Sequence, residues 1–221
     1  MNRRFVLIAA PLLLALTAAV PAKRPPPPPP IADYVTINLA TTQGTITIEL
    51  DHKHAPLTTE NILRYVDQRR LDNSAFYRSM RLAWGTPPNG LIQGGVQMDP
   101  KRTLKPVAHE PTSQTGLKHV AGAVSLARNA PGTGMAEFSI LLSTLESLDA
   151  DPKGTTPDAQ AGFAVFGKVT AGMDVVRKIW DSPLSATKGQ GSMKGSMIDV
   201  PVKILTVRRA PVVPVTVPTK P

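Results

Sequence analysis

The sequence predicts a mainly β protein, a closed antiparallel barrel with two capping α-helices. Three observations carry this prediction. Short runs alternate apolar with polar residues, turn residues such as Gly, Pro and Asn punctuate them, and only two stretches show helical spacing. A closed barrel suits many short strands because closure removes their exposed edges.

Taken in order, Val35, Ile37 and Leu39 alternate with Thr36, Asn38 and Ala40, and Ile46, Ile48 and Leu50 repeat the pattern after Thr41-Thr42-Gln43-Gly44. Period two on both sides of a Gly-containing turn predicts an antiparallel hairpin with one buried face. Pro56 suits the first turn of a helix over Leu57 to Arg70, with Ile62, Leu63 and Val66 as its apolar stripe. A strand follows around Phe76-Tyr77-Arg78. The loop Leu82 to Gly90 carries Pro-Pro and Asn-Gly turn signals, and Gly90-Leu91-Ile92-Gln93-Gly94-Gly95 is the next strand-like segment. Gln97 to Gly116 is polar and reads as a long surface excursion. Val120 to Ala127 and Glu137 to Leu142 are short apolar strands, Asp149 to Ala161 is a loop, and Phe163 to Val169 is a strand. Ala171 to Trp180 is the second amphipathic helix, with Met173, Val176, Ile179 and Trp180 available for burial. The Gly-Ser-Lys loop Gly189 to Met197 lacks the strand-loop-helix context of a phosphate cradle, and Val200 to Val207 closes the chain's β structure.

The ends read differently. Residues 1–22 begin with Arg3-Arg4, continue through Phe5 to Leu16 as an apolar run, and finish in small residues, the pattern of a secretory signal peptide cleaved near Ala19 or Ala22. Residues 23–33 form a linker whose core, Pro25 to Pro30, is a stiff polyproline spacer, and 210–221 form a proline-rich tail. Residues 34–209 remain for one folded domain. Its expected location is the bacterial periplasm, free of the membrane once the signal is removed.

Composition narrows the chemistry. The 221 residues contain no cysteine, which excludes disulfides, thiolate metal sites and cysteine nucleophiles. The formal charge is +9, or +7 without Arg3 and Arg4, and it is spread thinly without a basic stripe interleaved with aromatics. No nucleic-acid partner is therefore expected. His52, His54, His109 and His119 lack a metal-ligand spacing and read as surface residues. Glu146, Asp149 and Asp151 read as a solvated loop without the pattern of a calcium site, and Ser125 has no nucleophile elbow around it.

What remains is an arginine and a glutamine, A guanidinium beside an apolar surface is a fixed, permanently charged donor suited to a carbonyl. Such a group suits a reaction in which no bond is broken. The flanking blocks, in order, are Thr42 to Leu50, Ala55-Pro56-Leu57-Thr58-Thr59-Glu60-Asn61, Val124-Ser125-Leu126-Ala127-Arg128, Glu137-Phe138-Ser139-Ile140 and Phe163 to Val169. Together with Phe76-Tyr77-Arg78 and Gln93-Gly94-Gly95, this series resembles the cyclophilin family of peptidyl-prolyl cis-trans isomerases over about Tyr34 to Arg209.

The resemblance implies an eight-stranded antiparallel barrel with a helix over each end, and prolyl isomerisation without cofactor or metal. It implies Arg78 as the catalytic donor and Gln93 as the residue that orients the bound peptide. Phe76, Leu91, Ala127, Arg128, Glu137 and Phe138 would form the groove with Ser139 and Phe163. Proline-containing peptides and unfolded polypeptides are the expected partners of a monomer. The chain departs from the family pattern at several of these positions. Leu91 replaces a methionine, Arg128 an asparagine, Ser139 a pocket phenylalanine and Phe163 a frequent histidine, and the loop between Arg78 and Gln93 is enlarged. Glu137 replaces a glutamine; facing Arg78, its carboxylate would either orient the guanidinium or tie it up in an ion pair. Trp84, on the enlarged loop, would either complete the pocket or pack against its own turn. With Ser139 and Glu137 in the groove, a noncatalytic peptide-binding or chaperone module on the same barrel is the alternative function.

Overall fold

The Gly-containing turn at 42–43 reverses the chain between β1 (Tyr34–Thr41) and β2 (Gly44–Asp51), and their register sets Ile37 opposite Ile48 and Leu39 opposite Ile46. All four side chains are buried, as alternation requires when one face of a hairpin meets the core. The computed structural model describes residues 30–211. The signal peptide read at 1–22, nearly all of the 23–33 linker and most of the 210–221 tail lie outside the described residues.

Six further strands follow: β3 (Ser74–Arg81), β4 (Gly90–Gly95), β5 (Ala123–Leu126), β6 (Phe138–Leu141), β7 (Ala164–Ala171) and β8 (Met197–Arg209). Every pairing is antiparallel, and the order β1-β2-β7-β5-β6-β4-β3-β8 closes on itself. The interior is filled by β-branched and aromatic residues of the inward faces, among them Ile46, Phe76, Ile140 and Phe166. The Phe76 and Phe138 rings meet edge to face with centroids 5.7 Å apart.

Both expected helices are present with shifted ends. The first, α1 (Pro56–Asp67), has Pro56 in its first turn and lays Ile62, Leu63 and Val66 into the core, against β2, β7 and β8. It stops short of Arg70 because Arg69 takes a positive φ of 55°, which no helix accommodates. In α4 (Met173–Trp180), Val175, Val176 and Ile179 are the buried residues, and the helix lies against β2, β3 and β4. Two single-turn helices, α2 (Thr112–Thr115) and α3 (Pro157–Ala161), lie within segments expected to be loops, so the count of helices rises to four among the described residues.

The reading of Gln97 to Gly116 as a surface excursion is corrected in its second half, where Glu110, Thr112 and Thr115 are buried. Glu110 supplies the cap that α1 lacks locally, since Ala55 has no side chain to offer. Its carboxylate accepts hydrogen bonds from the backbone N–H of Leu57 at 3.0 Å, the N–H of Thr58 at 2.7 Å and the Thr58 hydroxyl at 2.6 Å. A negative charge at a helix N-terminus is favoured both by these orphan donors and by the macrodipole.

Candidate active site

In a regular strand, neighbouring side chains point to opposite faces. The β3–β4 register breaks this rule once: Phe76 pairs with Gly94 and Arg78 with Gln93, leaving Tyr77 as the extra residue of a bulge. Phe76 is thereby turned into the core, while Tyr77 and Arg78 both face one cleft of about 350 Å³. Met80, Leu91, Leu148 and Phe163 give that cleft its apolar wall. Gln93, Ser139 and Ser125 line it as consecutive cross-strand neighbours on β4, β6 and β5.

Arg78 is fixed from three sides. Its Nη1 donates to Gln93 Oε1 at 3.1 Å, its Nε to Ser196 Oγ at 3.0 Å, and its Nη2 to the Ser192 carbonyl at 3.3 Å. A guanidinium has five N–H donors; these three bonds leave two for a ligand. Half-burial pulls its pKa below the ordinary arginine value, a shift that leaves it charged at neutral pH. Ser192 and Ser196 belong to the Gly189 to Met197 loop, which the sequence showed only as lacking a phosphate motif. Its role as one wall of the arginine's seat carries no sequence signal of its own.

Glu137 takes neither of the courses open to it in the sequence. Its carboxylate does not reach Arg78; Oε2 accepts from the Tyr77 hydroxyl at 2.6 Å and Oε1 from the Met98 N–H at 3.3 Å, while the Tyr77 oxygen accepts from Gln93 Nε2 at 3.0 Å. Gly95 makes room for this: its φ is +147°, and a Cβ there would stand 2.5 Å from Glu137 Oε2. Burial raises the Glu137 pKa, opposed by its hydrogen bonds, and burial beside Glu137 pushes the Tyr77 phenol far up. Because the folded state holds the Glu137 proton to higher pH than the unfolded chain does, this group's contribution to stability falls as pH rises from the ordinary glutamate range through the folded value.

Arg128 lines the cleft beside Ala127, but its charge is committed elsewhere. Nη1 pairs with Asp158 at 2.8 Å, Nε donates to the Gly162 carbonyl at 3.1 Å, and the guanidinium lies 4.6 Å from the centroid of Phe163. It is therefore a brace for the Phe163 wall. Arg128→Ala is expected to raise the KM for a prolyl peptide by about threefold to fivefold, the worth of one cation–π contact, with kcat little changed; steady-state kinetics check this.

Of the residues picked from the sequence, the structure brings Arg78, Gln93, Leu91, Ala127, Arg128, Glu137, Ser139 and Phe163 together around the cleft. Two expected groove residues are corrected: Phe76 and Phe138 are core residues that do not line it. Phe138 lies between Glu137 and Ser139, and strand alternation turns it the other way. Trp84 is 61% exposed and away from the cleft, so it does not complete the pocket. His119 is corrected from surface to interior, at 1% exposed. Its Nδ1 meets Asp149 Oδ1 at 2.7 Å and its Nε2 meets the Ser125 hydroxyl at 2.9 Å, a buried strut behind the cleft floor, and burial lowers its pKa.

Comparison with known proteins agrees with this geometry. Residues 34–208 match the family described as cyclophilin type peptidyl-prolyl cis-trans isomerase/CLD. A peptidyl-prolyl cis-trans isomerase of Acinetobacter baylyi is 34% identical over 176 residues, covering 78% of this chain and 84% of that protein. One of Streptomyces antibioticus is 35% identical over 181 residues, covering 79% and 96%. Among solved structures, a cyclophilin type isomerase of Cryptosporidium parvum in the presence of the dipeptide Ala-Pro superposes with a TM-score of 0.58 at 19% identity, covering 80% of this chain and 99% of that one.

Proposed function

The chain belongs to the cyclophilin-type peptidyl-prolyl cis-trans isomerase family, and on that premise we propose that Arg78 accelerates X-Pro rotation by stabilising the twisted amide in the cleft. The carrying observation is the pair of guanidinium N–H groups left over on an arginine that three bonds hold in place beside an apolar wall. The X-Pro bond prefers trans by only about 0.5–1 kcal/mol but crosses a barrier of about 18–20 kcal/mol, because rotation breaks amide resonance. A catalyst needs no nucleophile for this. It must hold the prolyl ring and bind the twisted amide better than either planar form, which is differential binding. Met80, Leu91, Leu148 and Phe163 offer the ring an apolar seat, and Arg78 offers a donor that is already oriented and half-desolvated. Gln93 holds Arg78 and orients the peptide backbone.

In this reading the substrates are proline-containing segments of unfolded exported proteins in a bacterial periplasm, bound by a monomer. The signal-like segment 1–22 supports export, and an intact mass lacking residues up to Ala19 or Ala22 is its test. Ser139, at the floor where the family pattern has a phenylalanine, favours the second reading of a peptide-binding module without turnover. Cis-trans exchange of a short X-Pro peptide with substoichiometric full chain separates the two. Acceleration is expected; saturable binding without acceleration would establish the module instead.

A further inference from the structure

Behind Arg78, three side chains form a line whose hydrogen bonds all run in one direction. The guanidinium at one end can only donate, and an ionised carboxylate at the other can only accept. The Tyr77 hydroxyl therefore gives its proton to Glu137, and its oxygen is left to accept from Gln93 Nε2. The opposite end of the Gln93 amide is then Oε1, the atom an arginine can use. Resting on the isomerase reading of this cleft, we propose that Glu137 and Tyr77 are positioning residues, setting the polarity of the line so that Gln93 presents oxygen to Arg78.

The local structure is built to hold this line. The β3 bulge brings Tyr77 onto the same side as Arg78, Gly95 lets the carboxylate approach β4, and the Met98 N–H occupies the second carboxylate oxygen. A neutral amide or carboxylic acid at 137 can donate as well as accept. A donor there allows the phenol to turn its proton toward Gln93, which then rotates its NH₂ against the guanidinium, donor facing donor. Arg78 would lose its third anchor without losing its charge. The ionisable groups facing Glu137 are Tyr77 and, beyond Gln93, Arg78 on β3, together with Tyr65 on α1, which feels its charge. Both phenols are held above their ordinary range, so Glu137 is the member of the set that titrates on the acid side of neutrality.

The test uses the full chain, Glu137→Gln and Tyr77→Phe, followed between about pH 4 and 8, the range that brackets a raised carboxyl. Two quantities are read in the same samples: the Gln93 side-chain amide resonances, and kcat and KM for X-Pro exchange. In the wild type the Gln93 signals are expected to move in a single step, with kcat falling about tenfold on its acid side and KM nearly constant. In Glu137→Gln the step and the acid limb should both be absent. Tyr77→Phe should lower kcat about tenfold across the range, with the Gln93 signals no longer following pH. A wild-type Gln93 signal that ignores pH, or an acid step that survives in Glu137→Gln, overturns the proposal. If the wild type accelerates no exchange, the isomerase reading fails, and the Gln93 titration still decides whether Glu137 sets the line. If Tyr77→Phe does not fold, Glu137→Gln decides alone.

Discussion

Arg78→Ala is expected to lower kcat/KM for X-Pro exchange by about 10²–10³, the loss that follows removal of one preorganised donor from developing charge. The loss should fall on kcat, because the apolar wall that seats the prolyl ring is made by other residues: Met80, Leu91, Leu148 and Phe163. The fold should survive. The groups the guanidinium leaves behind, Gln93 Oε1, Ser196 Oγ and the Ser192 carbonyl, border an open cleft where water can replace it. Arg78→Lys keeps the charge but not the planar fork that meets Gln93, Ser196 and Ser192 at once, so it should recover only a small part of the rate. Steady-state exchange kinetics with a thermal melt of each variant check both points, and an Arg78→Ala protein as fast as wild type removes Arg78 from the mechanism.

Glu110→Ala is expected to cost about 2–4 kcal/mol of folding stability. The substitution strips the caps from the Leu57 and Thr58 N–H groups and from the Thr58 hydroxyl, and Thr58 is fully buried. Nothing nearby replaces them, since Ala55 cannot cap. Glu110→Gln should lose less, keeping one acceptor oxygen but not the charge at the helix N-terminus. Urea unfolding measures the difference; an unchanged midpoint for Glu110→Ala would show that water caps α1 equally well.

The hairpin of β1 and β2, the start of α1 and the placing of α4 were legible because each is written in local spacing: period two around a turn, a proline at a first helical turn, apolar residues three and four apart. Arg78 and Gln93 were legible because they are polar residues in otherwise apolar segments. The Glu110 cap was not, because it joins residues 52 positions apart and its own surroundings look like a surface loop. His119 and Asp149 were misread for the same reason, each being polar in a polar stretch and buried only through the other. Phe138 was misplaced although the rule that places it was available: Glu137 and Ser139 cannot share a face with the residue between them. Phe76 is the reverse case. Period two would put it on the side of Arg78, and only the bulge at Tyr77, which nothing in the composition announces, turns it inward.

The central claim is that rotation about the X-Pro bond becomes fast inside the cleft because Arg78 is there. The direct measurement is the interconversion rate of a single X-Pro peptide at saturation with the full chain, from NMR line shapes of its bound cis and trans forms. The free peptide takes tens to hundreds of seconds; bound to the wild type it should interconvert orders of magnitude faster, and bound to Arg78→Ala it should slow markedly while remaining bound. Bound peptide that rotates no faster than free peptide, or equally fast in both proteins, contradicts the account.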